Sequence, residues 1–537
     1  MRKTARGFSC PRAKVRKTAR GFSCPKTKVK KTARGFSRPK TKMKKTARGF
    51  RCPRAKSRKT VFLGENMAEP FYKSVAYKKR KNTNKDENPK QERSDFKKDI
   101  KSSDSRKQPY EKQPSAAVVR NTKMFDADKI ADDAKAVLEN FDDIIQSVRP
   151  LNAKQRALLA SDIARLSRSL TSQRSERRVG YMNETTTLTA YAHYFTWWNL
   201  VRLTRLFASM SAESFALCDG DACLDIGSGP LTLPIALYLS RPELRAKKLT
   251  WYCLDYSQNS LALGEDLFLA VAARLGGDCG WKIIRVKGGI GTAIKQKASL
   301  VTCANMFNES LGEGEANLEL LAKKQALALM SYADTGSEEK RKTPAILVIE
   351  PGVPQSARFI SLLRDALIRR SYGIIAPCPH FQSCPMNGQR HTKSGRIGKW
   401  CNFAFSTAEN APKRLLKLSM SAKLPKDRAV LSFVFARLNE KEPSLTLPLF
   451  RIASDPIRLS DHRIGHYACS SDGLALIVEG KVLDTKIESG DLIELYGKMT
   501  KKDIRALPRD EKSGAFIQVV TRDEKKADAK QKKLDRK

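Results

Sequence analysis

Short apolar runs alternate with segments of helical period from residue 222 to residue 367, and no other feature of the chain restricts its fold as much. The runs are residues 222–226, 249–254, 283–286, 300–304 and 345–349. Each is short and nearly continuous in apolar residues, as strands covered on both faces are. After the fifth run, Phe359, Leu362, Leu363, Ala366 and Leu367 recur at the spacing of one helix face. Alternating strand and helix implies an α/β, mostly parallel, doubly wound sheet. A further strand is expected at 430–436. Residues 446–520 read as short strands between glycine-containing turns, a small β extension.

Upstream, apolar residues from Ile130 to Val148 follow one helix face; Pro150 ends that helix and Asn152 is placed to cap the next, which carries Leu158, Leu159, Ile163 and Leu166. Tyr191, Tyr194, Phe195, Trp197 and Trp198 read mainly as core, with one or two placed to stack on a base or adenine ring. The domain plan is basic tandem repeats at 1–66, a basic linker at 67–124, a helical region at 125–210, and the sheet domain at 211–440 with a cysteine-rich insert at 376–403. The β extension at 445–520 and a charged tail at 521–537 follow.

Charge points to the partner. The 537 residues hold 102 Lys+Arg against 56 Asp+Glu, a formal net charge of +46. Residues 1–66 carry 24 bases and one acid (Glu65), half of that excess in about an eighth of the chain. There Lys-Thr-Ala-Arg-Gly-Phe recurs with a period of 14 from Lys3, Lys17, Lys31 and Lys45. A unit with one Phe, one Gly and usually one Pro builds no core, so disorder is expected. Cys10, Cys24 and Cys52 fall in these repeats, but Arg38 takes the equivalent place in the third copy, which argues against metal binding. A polyanion, nucleic acid first, is the expected partner. No run of about eighteen apolar residues exists, so no membrane span is expected. The N-terminus has no apolar stretch of the kind a secretory signal needs; its basic, acid-poor character suits an organellar transit peptide, but Gly and Pro in the repeat spoil the helix such a peptide forms. Twelve cysteines in this setting are expected reduced, core-packed or metal-bound.

Two segments carry chemistry. Leu224-Asp225-Ile226-Gly227-Ser228-Gly229-Pro230 leaves a strand and enters a helix near Thr232, and its glycines let backbone approach a cofactor. Asp255 ends the next strand, where a carboxylate accepts ribose hydroxyls. Asp225 suits a cofactor with a cationic amino or sulfonium group and would repel a pyrophosphate, so S-adenosylmethionine is favoured over NAD. Asn305-Met306-Phe307-Asn308-Glu309 and Glu350-Pro351-Gly352 follow later strands at the same carboxyl edge, where ligands of open α/β sheets collect. The second segment runs Cys378-Pro379-His380, Cys384-Pro385 and Trp400-Cys401-Asn402-Phe403, with Cys469 as the remaining candidate far downstream. Four thiolates suit zinc or an iron–sulfur cluster, and the spacing alone does not choose between them; His380 and His391 are rival ligands. Cys223, Cys253 and Cys303 lie in apolar strands and read as core.

These blocks occur in an order that resembles the methyltransferase-like family associated with the small ribosomal subunit in bacteria and mitochondria, over roughly residues 126–500. The resemblance implies a class I methyltransferase-like domain that binds S-adenosylmethionine through Asp225, Gly227, Gly229, Asp255 and Asn305. It also implies a 4Fe-4S cluster on Cys378, Cys384, Cys401 and Cys469, with zinc as the alternative, and partnership with ribosomal RNA or the assembling small subunit. A monomer in the cytoplasm is expected, with the mitochondrial matrix as the other location. Two departures stand out: Leu231 replaces a frequent glycine, a change expected to narrow the cofactor loop, and Asn402 replaces a common histidine. Direct methyl transfer to an RNA base or ribose is the expected activity. The segment from Asn305 to Asn308 is not the Asn/Asp-Pro-Pro-aromatic tetrapeptide of amino-directed methyltransferases, so no catalytic base is named. A non-catalytic assembly factor and an iron- or redox-sensing RNA-binding protein are the rival readings.

Overall fold

A computed structural model describes residues 116–521, apart from 174–179, 310, 312–314, 338–341, 391–396, 444–446, 454, 460–461, 481–485 and 497–500. The tandem repeats, most of the linker, the charged tail and His391 lie outside the described residues.

The strands, in chain order, are β1 (Ala116–Thr122), β2 (Ala222–Ile226), β3 (Thr250–Asp255), β4 (Lys282–Lys287), β5 (Leu300–Ala304), β6 (Ala345–Pro351), β7 (Tyr372–Ala376), β8 (Phe403–Ser406), β9 (Arg428–Leu438), β10 (Leu449–Ile452), β11 (Ile457–Arg458), β12 (Ile464–Ser470), β13 (Gly473–Glu479), β14 (Leu492–Leu495) and β15 (Phe516–Thr521). All six strands expected between 222 and 436 are present, within two residues at each end.

The first sheet runs β4-β3-β2-β5-β6-β9-β7, with β8 paired to β9. Its first five strands are parallel, and β9 runs antiparallel to both β6 and β7. The order reverses beside β2, which places a crevice at the carboxyl ends of β2, β3 and β5. This is the strand order of a class I methyltransferase-like domain. The helix Thr232–Ser240, apolar all round, is buried along its whole length, as a helix with no solvent face must be. The helix Thr196–Ser209 packs on it, with Leu200, Leu203 and Leu206 fully or almost fully buried.

The N-terminal helical region forms, with two corrections. The expected first helix breaks at Asn140 into Asp132–Glu139 and Phe141–Val148. Asn152 caps the next helix in a reciprocal box: Gln155 N–H donates to its side chain at 2.8 Å, and Asn152 N–H donates to the Gln155 side chain at 3.0 Å. On that helix Leu159, Ile163 and Leu166 are buried, but Leu158 is exposed, one residue off the stripe.

The β extension is a closed ring. β10, β14, β1, β15, β13 and β12 pair in turn, and β10 also pairs with β12, while β11 adds to β12. Closure leaves no long unpaired edge. β1 was expected to be part of the linker; instead it pairs with β14 antiparallel and β15 parallel. Its partners lie some four hundred residues away in sequence. The ring's core includes Phe450, Ile477, Ile493 and Phe516.

Candidate functional site

The loop after β2 is shaped by backbone geometry. Gly227 and Gly229 have φ of 70° and 52°, in the left-handed region. A Cβ at Gly227 would stand 3.0 Å from the Met306 side chain, so the first loop and the loop after β5 touch there. Leu231 also has a left-handed φ of 54°, which accounts for the frequent glycine at this place. Its side chain is fully buried and lies against Gly264, where an added Cβ would come within 2.5 Å. It turns into the core and does not line the crevice, so the expected narrowing does not occur.

The two acids take different places. Asp255 lines the crevice; its Oδ2 accepts from Gly229 N–H at 3.0 Å and its Oδ1 from Ser257 N–H at 2.7 Å. Burial raises its pKa, against the pull of those two donors. Asp225 does not line the crevice. It is buried beneath the loop, where its two oxygens accept from the hydroxyls of Ser228 at 2.6 Å and Thr302 at 2.7 Å. Burial pushes its carboxyl up to about 7 although both hydroxyls pull it down. Asp225 therefore braces the glycine loop against β5.

Asn305 sits at the crevice with φ of 56°; its N–H donates to Ile349 O at 2.8 Å and its Oδ1 accepts from Arg202 Nη2 at 3.1 Å. Glu350, fully buried, turns beneath the same loop and accepts from the N–H groups of Met306 (3.1 Å), Phe307 (2.8 Å) and Asn308 (3.0 Å). Burial lifts it to about 7 against those three donors. Gly227, Gly229, Asp255, Tyr256 and Asn305 thus border one cavity of about 340 Å³, within the range of small-ligand sites. From the aromatic stretch Tyr191 lines it, while Tyr194, Trp197 and Trp198 are core. Arg202 was not visible as a site residue in the sequence, because a lone cation on an otherwise apolar helix carries no spacing signal.

The cysteines gather at the junction of the sheet domain and the ring. Cys378 follows β7, Cys401 precedes β8, Cys384 lies between, and Cys469 is on β12. Arg364 Nε donates to Cys378 Sγ at 3.2 Å, and Arg364 Nη2 reaches the carbonyls of His380 and Gln382, each at 2.8 Å. His380 Nε2 lies 3.3 Å from Cys469 Sγ. Burial raises the Cys401 thiol, and Cys384, Cys378 and Cys469 raise it further. Arg451 is pushed down to about 10 by burial, against an upward pull from Cys469, Cys378 and Cys401. The four thiols are therefore neighbours. Among the described residues, however, no three His, Cys, Asp or Glu side chains close into a shell that holds a metal ion as they stand. Cys223, Cys253 and Cys303 are fully buried strand residues, as expected of core.

A family model described as "Mitochondrial small ribosomal subunit Rsm22" matches residues 211–492. No curated protein matches the chain. Solved structures similar to it include a SAM-dependent methyltransferase from Geobacter sulfurreducens in complex with S-adenosyl-L-homocysteine. The identity is 13%, over 51% of this chain and 98% of that one, with a TM-score of 0.25. A putative RNA methyltransferase from Pyrococcus horikoshii is 12% identical over 50% and 98% of the two chains, with a TM-score of 0.25. A ribosomal protein L11 methylase from Lactobacillus delbrueckii subsp. bulgaricus is 18% identical over 33% and 70%, with a TM-score of 0.21.

Proposed function

The chain belongs to the mitochondrial small ribosomal subunit Rsm22 family, and from that premise we propose that it is an S-adenosylmethionine-binding, methyltransferase-like protein that acts with small-subunit ribosomal RNA in mitochondria. The observation that carries this reading is the closure of one crevice by Gly229, Asp255 and Asn305, at the carboxyl ends of β2, β3 and β5. Asp255 offers its remaining lone pairs to ribose hydroxyls, and the glycine backbone admits the methionine part of the cofactor. Asp225 and Glu350 hold the two loops in place from below. The cofactor would supply the methyl group, while the protein aligns the acceptor and excludes water.

A specific observation favours a non-catalytic assembly role as the second reading. The loop after β5 spends its polar groups internally: Glu350 takes three of its N–H groups and Arg202 takes Asn305 Oδ1. Glu309 is the carboxylate of that loop that lines the crevice, so an enzyme reading has one candidate base there.

The same proposal gives Cys378, Cys384, Cys401 and Cys469 one iron–sulfur cluster, with zinc as the alternative. Four soft donors from the insert and β12 suit it, and the guanidinium groups of Arg364 and Arg451 would offset thiolate charge. Location in the mitochondrial matrix accords with the family. No helix among the described residues is long and apolar enough to cross a membrane.

The deciding experiment maps small-subunit RNA modifications with and without the gene. A methylated nucleotide that vanishes supports the enzyme. Loss of assembly with every modification intact supports the factor. Calorimetry that detects no binding of S-adenosylmethionine or its demethylated product refutes both cofactor readings.

A further inference from the structure

Two cations stand one layer behind the crevice lining, each reaching it through a neighbouring residue. Arg202, on the helix Thr196–Ser209, is 7% exposed. Its Nη2 donates to Asn305, but its Nε has no hydrogen-bond partner among the described residues. The carboxylate whose charge acts on it is Glu350, whose oxygens already accept three backbone N–H groups. Lys426 comes from the loop before β9, and its ammonium stands over the Phe195 ring, 5.1 Å from the centroid. Burial, and then the charge of Arg202, push Lys426 down to about 8. Among the described residues neither side chain forms an ion pair.

Other deeply placed arginines differ from this pair. Arg364 pairs with Asp365 and reaches two carbonyls, and Arg451 donates to the carbonyls of Pro377 and Gly490. Arg202 is buried and Lys426 half-buried, and a cation withdrawn from water without an ion partner is unfavourable unless an anion joins it. The geometry also ties both to the crevice. Arg202 holds Asn305, which lines it, and Phe195 under Lys426 packs on Tyr191, which also lines it, with ring centroids 5.7 Å apart.

We infer that Arg202 and Lys426 form a phosphate subsite for the backbone of a single-stranded RNA segment presented to the cofactor crevice. The inference rests on the RNA reading above. A phosphodiester offers two oxygens to two cations, and such contacts position a strand without reading its sequence. The carboxylate of the cofactor is the less suitable occupant, because a second cation would oppose the cofactor's own ammonium and sulfonium charges. Lys413, Lys417 and Lys423, on and just beyond the helix Lys413–Ser421 that precedes Lys426, are exposed, as is Asp427 beside it.

The test measures binding of a fluorescent twelve-nucleotide single-stranded RNA to the full chain over a series of KCl concentrations. Binding of S-adenosylhomocysteine is followed by calorimetry on the same preparations. Lys426→Gln is expected to weaken RNA binding about tenfold and to lower the salt slope by about one, while Lys426→Arg keeps both. Arg202→Gln is the second variant, read only where its melting curve matches the wild type. Cofactor affinity should stay within about twofold in Lys426→Gln. Unchanged RNA affinity and slope in Lys426→Gln overturn the inference, as does a wild-type chain that binds no RNA. Loss of cofactor affinity with RNA binding intact also overturns it and assigns the pair to the cofactor carboxylate. Failure of the wild type to bind cofactor would refute the crevice reading while leaving the RNA comparison intact.

Discussion

Gly229 donates its backbone N–H to Asp255 Oδ2 at 3.0 Å, so the loop after β2 and the acid that ends β3 form one unit. Neither can move without disturbing the other. The crevice is organised before any ligand enters, which lowers the cost of ordering it on binding.

Asp255→Ala should therefore abolish two things together: the proposed ribose contact and the anchor of the Gly229 amide. A loss of about a hundredfold in S-adenosylmethionine affinity is expected, since hydrogen bonds to a charged group are worth about 1.5–3 kcal/mol each. Asp225→Ala should weaken binding by a smaller factor and lower the melting temperature, because it frees the Ser228 and Thr302 hydroxyls under the loop. Calorimetry alongside thermal melts separates the two variants. Equal binding losses with unchanged melting would contradict the bracing role of Asp225.

The sequence made much of this edge legible, since strand, glycine loop and terminal acid are all contiguous signals. Roles within it were not. Asp225 and Asp255 look alike in the sequence, and only the turn of the chain buries one and exposes the other to the cavity. β1 was hidden for a different reason: its residues follow a basic stretch, and the strands that pair with it, β14 and β15, are remote in sequence. β7 gave no separate signal because it follows an apolar helix face with only a short break. Arg202 acquires meaning solely from the fold, which brings its helix against Asn305 in the loop after β5.

Glu350 gives a pH prediction. Its folded pKa, raised to about 7 by burial, lies above its unfolded value near 4.5, and Asp225 behaves likewise. Between those values the native chain binds protons that the unfolded chain does not, so stability falls as pH rises. This contribution is fully present below about pH 4 and is lost as pH passes 7. Urea unfolding should show lower stability at pH 8 than at pH 5, by on the order of 2–3 kcal/mol for each of the two groups. Glu350→Gln should remove about half of that difference and leave the share of Asp225. It should also destabilise the chain by about 1–3 kcal/mol, because an amide cannot accept all three N–H groups. A pH difference that persists undiminished in Glu350→Gln would assign it to other groups.

The N-terminal repeats should act on RNA affinity through charge alone. Each Lys or Arg that neutralises a phosphate releases counterions, and residues 1–66 carry a net +23. Deleting them should flatten the salt dependence of RNA binding and leave the melting temperature unchanged. An unaltered slope would remove the repeats from the RNA interface.

Cys469 gives the last prediction. It lies on β12 of the ring, 3.3 Å from His380 of the insert, and its thiol is raised by burial and by Cys378 and Cys384. Ligands on both sides would make a cluster there a staple between the ring and the sheet domain. The junction already holds direct bonds, from Arg451 to Pro377 O at 2.8 Å and from Ala404 N–H to Ser489 Oγ at 3.1 Å. A metal link should therefore add to an existing interface, and its loss should loosen the ring without unfolding the sheet domain. Protein purified without oxygen is expected to be brown, with about four irons per chain for a 4Fe-4S cluster. Cys469→Ser should lose most of that iron, and its residues 449–521 should be cleaved faster by protease, while cofactor binding at the crevice, which Cys469 does not line, persists. One bound zinc and no iron would keep the staple and refute the cluster. Full iron retention in Cys469→Ser would show that another group completes the site, with His380 the nearest candidate, and would refute the staple.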